Sequence, residues 1–563
     1  MVLFPSSFAS HRPFSLLPAP LNFFVLSLYI ASPLFLGFVR SDSVFISSSD
    51  YTAGVYGAGP YQTYFTSNAT PVAFNFVEPL NRSTNSLSSG YLFTSPRGTS
   101  TAQPSASIFD SDGHLIWDGS AWGETLVFQV ETYLGEPHIL VWSGTTLGNG
   151  VGSGYLNLLN SKYQRVARYT TNLTGITGST YADFHEARIT TNNTGLMTAY
   201  YIRDFDLSPY GGPSSGYLFD SVFQELNITS GEPLFTWYAS DHVDPSECYD
   251  AIGTGGGSTD EAWDYFHINS IEQTDDGNYL ISSRHCFTVY YLNGTDGEIL
   301  WKMGGANSSF AMGDGANYSW QHHARWVTKN DSYATMTLFD NAGEYGEYDE
   351  SSSRGLYLAL NFTDMTVELL QDLIPYNYTV SESQGSVQLQ PNGNFLVGWG
   401  FMPWYSEYSS TGELLWSAQF GVIGGNYNEA YRMLRFNWTG EPTDPPSLQL
   451  VQSSSSNLTT VHVSWNGDTR TQKWELIGAS DSSGSDAISL YNQSRSGFET
   501  TFTFNTAVNS YGFYAVRALS SSNTHLGITT FTTSTENGVV SMLIGAWRAV
   551  AVVAVIIYSL QVI

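Results

Sequence analysis

The chain has 563 residues, 21 Lys and Arg against 50 Asp and Glu, and a formal net charge of −29. Nucleic-acid binding requires a basic surface, so this acidic balance argues against a nucleic-acid partner. It also argues against general electrostatic attraction of an anionic substrate, so any anion site must be locally basic. Aromatic residues make up 15% of the chain and glycine occurs 53 times, which predicts an all-β protein with short strands and turns.

Both ends of the chain are apolar. Residues 1–42 contain an apolar run at 23–39, which predicts a signal peptide or, alternatively, an N-terminal hydrophobic anchor. Residues 538–563 are apolar except for Arg548, which predicts membrane association through a tail anchor or a lipid-anchor signal. The two segments together predict a protein of the secretory pathway that is extracellular or at the cell surface.

Two further features are typical of a secreted protein. The two cysteines, Cys248 and Cys286, predict a disulfide that closes a loop beneath the strand of Arg284, the alternative being two separate buried thiols. N-linked glycans are predicted by Asn-x-Ser/Thr sequons. These lie at Asn68, Asn81, Asn172, Asn192, Asn227, Asn293, Asn307, Asn317, Asn330, Asn361, Asn377, Asn437, Asn457 and Asn492.

Hairpin signals recur along the chain. Four segments share a glycine turn followed by an apolar strand that ends in tryptophan: 112–117, 230–237, 296–301 and 411–416. Two further segments place Asp-Gly or Asn-Gly between apolar runs, at 276–282 and 392–398, which is the strongest short-range signal for a hairpin. Repeated antiparallel units of this kind predict a β-propeller over residues 45–440.

A second domain is predicted after a proline-rich linker at 441–446. The segments 461–465 and 511–519 alternate apolar and polar residues with period two, and carry a tryptophan and tyrosines, respectively. This pattern predicts a small immunoglobulin or fibronectin III-like β-sandwich over residues 447–535.

Four short segments concentrate residues that are scarce in this chain, which has only 11 His. The segments are 183–186, 264–270, 282–285 and 321–325, and they contain His185, His267, Arg284, His285, His322 and His323. Equivalent strand ends of a propeller converge on its central channel, so these side chains are expected to meet. Imidazoles beside a guanidinium can attack and stabilise an anionic group.

The order of these motifs resembles a known family. Phe184-His185-Glu186, Phe266-His267-Ile268-Asn269-Ser270-Ile271, Ser283-Arg284 and Trp320-Gln321-His322 look like the arylsulfate sulfotransferase family, in its fungal-type branch. The resemblance covers roughly residues 55–530. It implies a six-bladed propeller that moves a sulfuryl group from a phenolic sulfate ester to a phenol without a nucleotide sulfate donor.

The resemblance also implies residue roles. His322 corresponds to the transient sulfo-histidine, with His323 as the alternative because it follows directly. His185, His267, Asn269 and Arg284 correspond to the anion site. From the residues, Arg284 is expected to bind the sulfuryl oxygens bidentately. The two histidines are expected to donate to those oxygens or to protonate the departing phenolate. Asn269 is expected to donate a neutral hydrogen bond, and Glu186 could orient an imidazole. No metal ion or other cofactor is expected.

Strand alternation makes further predictions. His285 should point away from Arg284 and be structural or at the surface, and His323 should face away from His322. Arg325 would share the face of His323, and Arg325 and Arg188 are weaker candidates for substrate binding. The acidic stretch 340–350 is predicted to be a solvated loop rather than a calcium site.

Two other functions stay open. The first is a non-catalytic secreted or cell-surface propeller that binds a glycan or a protein through the same channel. The second is a metal-dependent hydrolase, because three convergent histidines could hold Zn²⁺, although Arg284 beside them would repel a cation.

Overall fold

The structure, a computed structural model, describes residues 42, 44–77, 87–147, 150–173, 181–344, 346–377, 379–424 and 427–536. The predicted signal segment, apart from Asp42, and the C-terminal hydrophobic segment lie outside these residues. The described chain is almost entirely β, with one helix, α1 (Ser49–Thr52). Short 3-10 turns are formed by Ser120–Trp122, Ser208–Tyr210, Ala239–Asp241, Pro245–Glu247 and Thr259–Glu261. None of the described helices has the length and apolar character needed to cross a membrane.

The strands of the first half of the chain have between 2 and 11 residues. The N-terminal strands are β1 (Phe45–Ile46), β2 (Asn75–Val77), β3 (Tyr91–Arg97), β4 (Ser107–Phe109) and β5 (Leu115–Asp118). They are followed by β6 (Phe128–Tyr133), β7 (Glu136–Thr146), β8 (Gly152–Leu159) and β9 (Arg165–Tyr169). The next group is β10 (Ala187–Ile189), β11 (Gly195–Phe205), β12 (Gly216–Leu226) and β13 (Pro233–Tyr238).

The same pattern continues to residue 436. The strands are β14 (Ile268–Gln273), β15 (Tyr279–Ser283), β16 (Thr288–Leu292), β17 (Ile299–Gly304), β18 (Ala311–Met312), β19 (His322–Lys329) and β20 (Tyr333–Asp340). They continue with β21 (Gly343–Glu344), β22 (Glu347–Tyr348), β23 (Arg354–Asn361) and β24 (Thr366–Leu373). The last are β25 (Ser386–Leu389), β26 (Phe395–Gly398), β27 (Trp404–Tyr408), β28 (Leu414–Gln419) and β29 (Glu429–Phe436).

Apart from the separate hairpin β21–β22, these strands form sheets that are arranged in a ring. The pairing is antiparallel except where β1 joins β2 and β18 joins β24. The sheet orders are β6-β7-β8-β9, β10-β11-β12-β13, β14-β15-β16-β17, β19-β20-β23-β24 extended by β18, β25-β26-β27-β28 extended by β2 and β1, and β29-β3-β4-β5. Their first strands contact one another in a cycle, from β6 to β10, β14, β19, β25, β29 and back to β6. The last strand of the ring, β29, pairs with the N-terminal β3. The architecture is that of a β-propeller.

Glycine turns connect the two outer strands of several sheets, as the sequence pattern predicts. Gly113, Gly231, Gly297 and Gly412 all have a positive φ, from 70° to 86°, where a side chain is disfavoured. Each turn leads into the fourth strand of its sheet, β5, β13, β17 and β28. The hairpins predicted at 276–282 and 392–398 are the β14–β15 and β25–β26 pairs.

The C-terminal part forms two further sheets that share one apolar core. Their strands are β30 (Ser447–Gln452), β31 (Leu458–Ser464), β32 (Lys473–Ala479), β33 (Ile488–Ser494), β34 (Glu499–Asn505), β35 (Phe513–Leu519), β36 (His525–Ile528) and β37 (Thr535–Glu536). The sheet orders are β34-β31-β30-β37 and β33-β32-β35-β36. Trp465, Trp474 and Val516 belong to the core between them.

The predicted disulfide between Cys248 and Cys286 is present. Cys286 lies in the turn between β15 and β16, two residues after Arg284. Cys248 lies in the connection between β13 and β14, next to Tyr249, whose backbone N–H donates to the His285 carbonyl at 2.7 Å. The disulfide therefore ties the turn that carries Arg284 and His285 to a neighbouring loop.

Candidate active site

The predicted site residues meet at one end of the inner strands of the ring. His185 lies just before β10, His267 directly before β14, and His322 is the first residue of β19. The rings of His185 and His267 are 4.8 Å apart between centroids, and those of His267 and His285 are also 4.8 Å apart. Tyr431, on β29, is 5.6 Å from His185 and 6.2 Å from His322. Tyr431 therefore lies between two of the three predicted catalytic imidazoles.

His322 has a defined tautomer. Its Nδ1 lies 2.7 Å from Asn341 Oδ1. The Asn341 amide group donates to the carbonyls of Ser381 and Gln384, so its oxygen must accept from His322. The proton therefore resides on Nδ1, and Nε2 carries the lone pair. The only hydrogen bond of Nε2 in the described chain comes from the backbone N–H of Gln384, at 3.3 Å.

His185 and His267 are each oriented by a carboxylate. His185 Nδ1 donates to Asp183 at 2.6 Å, and His267 Nδ1 donates to Asp264 at 2.5 Å. Each carboxylate also accepts from the backbone N–H of its histidine. In the neutral form, both imidazoles therefore present Nε2 as an acceptor rather than as a donor. The sequence predicted donors at these positions, which would require the protonated rings.

The prediction that His285 points away from Arg284 is wrong, whereas the structural role that was predicted as one alternative agrees with its burial. Strand β15 ends at Ser283, so the alternation of a strand does not extend to Arg284 and His285. His285 is buried. Its Nε2 accepts a hydrogen bond from Arg284 Nη1 at 3.0 Å, and its Nδ1 lies 2.5 Å from the Asp264 carbonyl oxygen. It belongs to the imidazole cluster and supports Arg284 directly.

Arg284 is buried and already has several partners. Its Nη1 is paired with Glu344 on the β21–β22 hairpin, and its Nη2 donates to the Glu382 carbonyl at 2.9 Å. Its guanidinium carbon lies 5.0 Å from the centroid of the Trp320 ring. Its Nε has no partner in the described part of the chain. The predicted solvated loop at 340–350 therefore includes a carboxylate that neutralises this guanidinium.

Asn269 holds the backbone beside His322. Its side-chain amide donates to the Gln321 carbonyl at 2.7 Å, and Gln321 in turn donates to Ser282 Oγ and the Ser283 carbonyl. The amide N–H that was expected to reach substrate is thus partly used within the protein. Asn269 Oδ1 is buried without a partner among the described residues.

The expected role of Glu186 is also wrong, because within the described part of the chain no hydrogen bond or ion pair joins its carboxylate to an imidazole. Glu186 is fully buried and is ion-paired with Arg325 of β19 and Arg432 of β29. Arg432 further donates to the carbonyls of His185 and Asn269, at 3.1 and 3.0 Å. We refer to Glu186, Arg325 and Arg432 as the Glu186 triad. Burial raises the pKa of Glu186, but the two guanidiniums outweigh it and hold the pKa below its usual value.

His323 faces a different space from His322, as alternation predicts. Together with Arg325 and Arg188 it lines a cavity of about 320 Å³, which we call the His323 cavity. Arg325 is bound to Glu186, and Arg188 donates through Nε to Glu131 at 2.7 Å. The two predicted substrate-binding arginines therefore accompany His323 and not His322.

Burial keeps the imidazoles of His267, His285 and His322 neutral. Burial, with the nearby Arg284 charge, lowers the pKa of His322 well below its usual value. Burial and the neighbouring His185 do the same to the pKa of His267. Burial, followed by the charge of His267, lowers the pKa of His285 to about 3. At neutral pH these three rings are uncharged bases.

Sequence reasoning missed Tyr431 and Arg432. Both lie on the last strand of the ring, more than 100 residues after His322. The Tyr431 hydroxyl is buried and has no partner in the described chain. The scarcity of arginine that singled out Arg284 was a usable signal for Arg432. Nothing in the sequence distinguishes Tyr431 from the other 35 tyrosines.

One group in the site has the composition of a metal site. Asp264, His267 and His285 offer ligand atoms within 4.8 Å of one another. However, the Asp264 carboxylate already accepts from His267 at 2.5 Å, and the Arg284 guanidinium lies 3.0 Å from His285 Nε2. A divalent cation would face this positive charge at close range, so the residues fit a cation poorly.

Comparison with known families identifies the chain. The family described as Arylsulfotransferase (ASST) matches residues 129–421. The chain belongs to the arylsulfotransferase family. The matched range contains His185, His267, Arg284, His322 and the Glu186–Arg325 pair, but ends before β29. In this member of the family, Tyr431 and Arg432 therefore reach the site from outside the matched range.

Similar solved structures are distant. One is a protein of unknown function from Bacteroides caccae, with 12% identity and TM-score 0.34, covering 61% of this chain and 98% of that chain. Another is a putative 6-phosphogluconolactonase from Bacteroides fragilis, with 11% identity and TM-score 0.32, covering 63% and 99%. The β-propeller domain of Myceliophteria thermophila Cps50 (Swd1) has 10% identity and TM-score 0.27, covering 67% and 94%. The search of curated proteins finds no match.

The Glu186 triad predicts a large loss of stability for Glu186→Gln. The substitution leaves two buried guanidiniums without a carboxylate, which costs about 3–5 kcal/mol. Denaturant unfolding should show this loss in the free energy of unfolding. The control is Glu232→Gln, because Glu232 is exposed, and it should change stability by less than about 0.5 kcal/mol. A similarly small effect of Glu186→Gln would contradict the assignment.

His323 predicts a specific pH dependence of stability. Burial, with the charge of Arg325, lowers the pKa of His323 well below its usual value, whereas the unfolded chain binds this proton below about pH 6.5. The unfolded state then binds more protons, so this group destabilises the folded protein as pH falls. When the pH is lowered from about 7.5 to about 5.5, the free energy of unfolding of wild type should therefore fall by about 1.4 kcal/mol more than that of His323→Gln. The control is Thr337→Ser, in the same cavity. Its free energy of unfolding should change with pH as that of wild type does.

Proposed function

We propose that this protein transfers the sulfuryl group of a phenolic sulfate ester to a phenol, with His322 Nε2 as the nucleophile. The observation that carries the proposal is the tautomer of His322. Asn341 holds the proton on Nδ1, so Nε2 carries the lone pair. Among the described residues this lone pair accepts only the long hydrogen bond from the Gln384 backbone N–H, at 3.3 Å, and attack on sulfur displaces that contact. The low pKa of the ring keeps that lone pair available at neutral pH. His323 lacks this arrangement, because its Nδ1 accepts from the Val387 backbone N–H.

In the first half-reaction, His322 Nε2 forms a bond to sulfur and the ester S–O bond breaks. The product phenolate leaves and takes up a proton, from solvent in the first turnover and afterwards from His185 or His267 if that ring was protonated by an acceptor phenol. Because Nδ1 keeps its proton, the sulfated ring is an N-sulfo-imidazolium whose positive charge makes it a good leaving group. Asn341 Oδ1 accepts from Nδ1–H before and after the step, so this positioning contact is retained throughout.

In the second half-reaction, the acceptor phenol loses its proton and its oxygen attacks sulfur, which restores His322. His185 and His267 present Nε2 as acceptors, so either can receive this proton, and Asp183 or Asp264 stabilises the imidazolium that forms. The same proton is then available for the next departing phenolate. The His185–Asp183 and His267–Asp264 pairs therefore serve as a base in one half-reaction and as an acid in the other.

Arg284 and Tyr431 supply stabilisation of negative charge. The sulfuryl oxygens carry the charge of the transition state, so preorganised donors around them matter most. Arg284 is the buried cation nearest the imidazole cluster. The unpaired Tyr431 hydroxyl can donate to an oxygen located between His185 and His322. The Trp320 ring next to Arg284 offers an apolar face for the aryl group.

The finer architecture supports this proposal. We assign each of the six sheets of the ring to one blade, which gives a six-bladed propeller. The two C-terminal sheets are then a fibronectin III-like sandwich. The similarity of the histidine and arginine motifs leads us to assign the protein to the fungal-type branch of the family.

We also propose that the protein acts in the secretory pathway, outside the cell or at its surface, and is associated with the membrane through its C-terminal segment. The disulfide supports an oxidising compartment. In addition, none of the sequon asparagines within the described residues is buried, so all of them are accessible to N-glycosylation.

A metal-dependent hydrolase is the second candidate function. It is supported by the convergence of Asp264, His267 and His285, whose ligand atoms could hold Zn²⁺. The charge of Arg284 opposes it. The two mechanisms differ in their dependence on metal and in the residue that becomes covalently modified.

The decisive experiment measures transfer from 4-nitrophenyl sulfate to a phenol in the presence of chelator. His322→Ala should lose at least about 10³-fold in kcat, because the nucleophile is removed. His323→Ala should keep activity within about tenfold. Mass spectrometry of the wild-type protein, after reaction with donor and no acceptor, should locate one SO₃ group on His322.

The other outcomes are equally informative. Loss of activity in chelator, restored by Zn²⁺, would establish the hydrolase. Donor binding without turnover across a panel of aryl sulfates would establish the non-catalytic binding module. Activity that is lost in His323→Ala and kept in His322→Ala would show that His323 is the nucleophile.

Glu344 predicts an effect on substrate binding. The donor's sulfate group must compete with Glu344 for the Arg284 guanidinium. Glu344→Gln removes this competing charge and should lower KM for the aryl sulfate by about three- to tenfold. The change in kcat should be smaller, because Glu344 contacts Arg284 and not the reacting atoms. The control is Glu347→Gln on the same hairpin, which is exposed and should leave KM unchanged. An increase in KM for Glu344→Gln would show that Glu344 holds Arg284 in its binding position.

A further inference from the structure

The backbone N–H of Gln384 is directed at the atom that is proposed to attack sulfur. Gln384 is buried and lies in the connection between β24 and β25. In the described part of the chain its N–H is the only hydrogen-bond donor to His322 Nε2, at 3.3 Å. A bond between Nε2 and sulfur displaces this contact. A buried N–H that loses its acceptor is costly, so the incoming group is favoured when it supplies a new one.

The peptide group that carries this N–H is held at its other end. Its carbonyl, that of Ser383, accepts from the Phe401 backbone N–H at 3.2 Å and from Ser381 Oγ at 3.3 Å. Gln384 has a φ of 66°, a left-handed conformation that a residue with a side chain keeps only when its surroundings impose it. The direction of the N–H is therefore set by the fold and does not depend on a bound substrate.

The contacts that follow hold Gln384 from the second side. Its carbonyl accepts from the Asn341 side-chain amide at 3.0 Å, and the Gly385 N–H donates to the Tyr431 carbonyl at 3.1 Å. Asn341 is also the residue whose oxygen accepts from His322 Nδ1. One amide side chain therefore orients both the nucleophile and the peptide that faces it.

Residues 382–384 also connect the two groups that the proposed transfer needs most. The Glu382 carbonyl accepts from Arg284 Nη2 at 2.9 Å, and two residues later the Gln384 N–H contacts His322. A sulfuryl group that is bonded to Nε2 and paired with Arg284 would therefore lie next to this segment. Fixed backbone N–H groups at the place where negative charge develops are typical donors of an oxyanion hole.

We propose that the Gln384 N–H is an oxyanion donor for the sulfuryl group, an inference that rests on the proposed transfer. In the free protein it covers the lone pair of His322 Nε2. When Nε2 bonds to sulfur, the same N–H donates to a sulfuryl oxygen, where the transition state carries its charge. Gln384 gives up no proton, so the bonds that form and break are those already described for the two half-reactions.

The test replaces this N–H by an ester oxygen. Gln384→Gly keeps the N–H, and glycine adopts a φ of 66° without strain. Glycolic acid incorporated at position 384 differs from that variant only in carrying an oxygen where the N–H was. Relative to Gln384→Gly, the ester should lose about 10²–10³-fold in kcat for transfer from 4-nitrophenyl sulfate to a phenol, with a smaller change in KM.

The control is glycolic acid in place of Gly393, in the turn between β25 and β26. It removes a backbone N–H that donates to the Gln390 carbonyl, and it should leave kcat unchanged within about threefold. Equal kcat for the ester and the amide at position 384 would overturn the inference and leave the proposed transfer intact. A wild-type protein that forms no sulfo-histidine would overturn the transfer, and the inference with it.

A measurement without an ester covers the case in which that protein fails to fold. In protein made with ¹⁵N-labelled glutamine, the Gln384 amide resonance is identified by its absence from Gln384→Asn. Conversion of wild type to the sulfo-enzyme, with donor and no acceptor, should shift this resonance downfield, because bonds to charged oxygens are shorter. The resonance of Gln449, on β30, should not move. An unshifted or upfield-shifted Gln384 resonance in a protein that carries SO₃ on His322 would overturn the inference.

Discussion

The buried ion pairs of Glu186 are the constraint on which the centre of this molecule depends. One carboxylate that is inaccessible to solvent joins the start of β10 to β19 and β29. A buried charge is tolerated only when it is fully paired, so the three strands must approach the channel together. Arg432 extends the constraint to the backbone of His185 and Asn269. The same contacts thereby position the imidazole cluster on one side and the His323 cavity on the other.

The three key histidines differ in the group that orients them. Carboxylates hold His185 and His267, whereas an amide holds His322. A carboxylate stabilises the protonated ring and favours a role in proton transfer. An amide carries no charge to stabilise a proton on Nε2, so it orients the ring and leaves the lone pair available. The proposed division between nucleophile and bases thus rests on the residues that contact the rings rather than on the rings themselves.

Local signals in the sequence predicted the parts of the structure that depend on local chemistry. Gly113 and Gly297 identified hairpin turns because few other residues adopt their positive φ, and Cys248 and Cys286 had only each other as partners. His285 was misplaced because the end of β15 cannot be read from residues 282–285, where the chain leaves the strand without proline or glycine. Glu186, Glu344 and Tyr431 escaped because their partners are distant in sequence, and only the closed ring brings them together.

The closure of the ring by β29 has a consequence for the order in which the protein can mature. His185, His267 and His322 are synthesised well before residues 429–436, which pair with β3 near the N-terminus. Until that strand has left the ribosome, Glu186 has only one of its two guanidiniums and the histidines lack the strand that carries Tyr431. A nascent chain can form its individual sheets in sequence, but the Glu186 triad and the contacts of Tyr431 with His185 and His322 are complete only when β29 has joined β3.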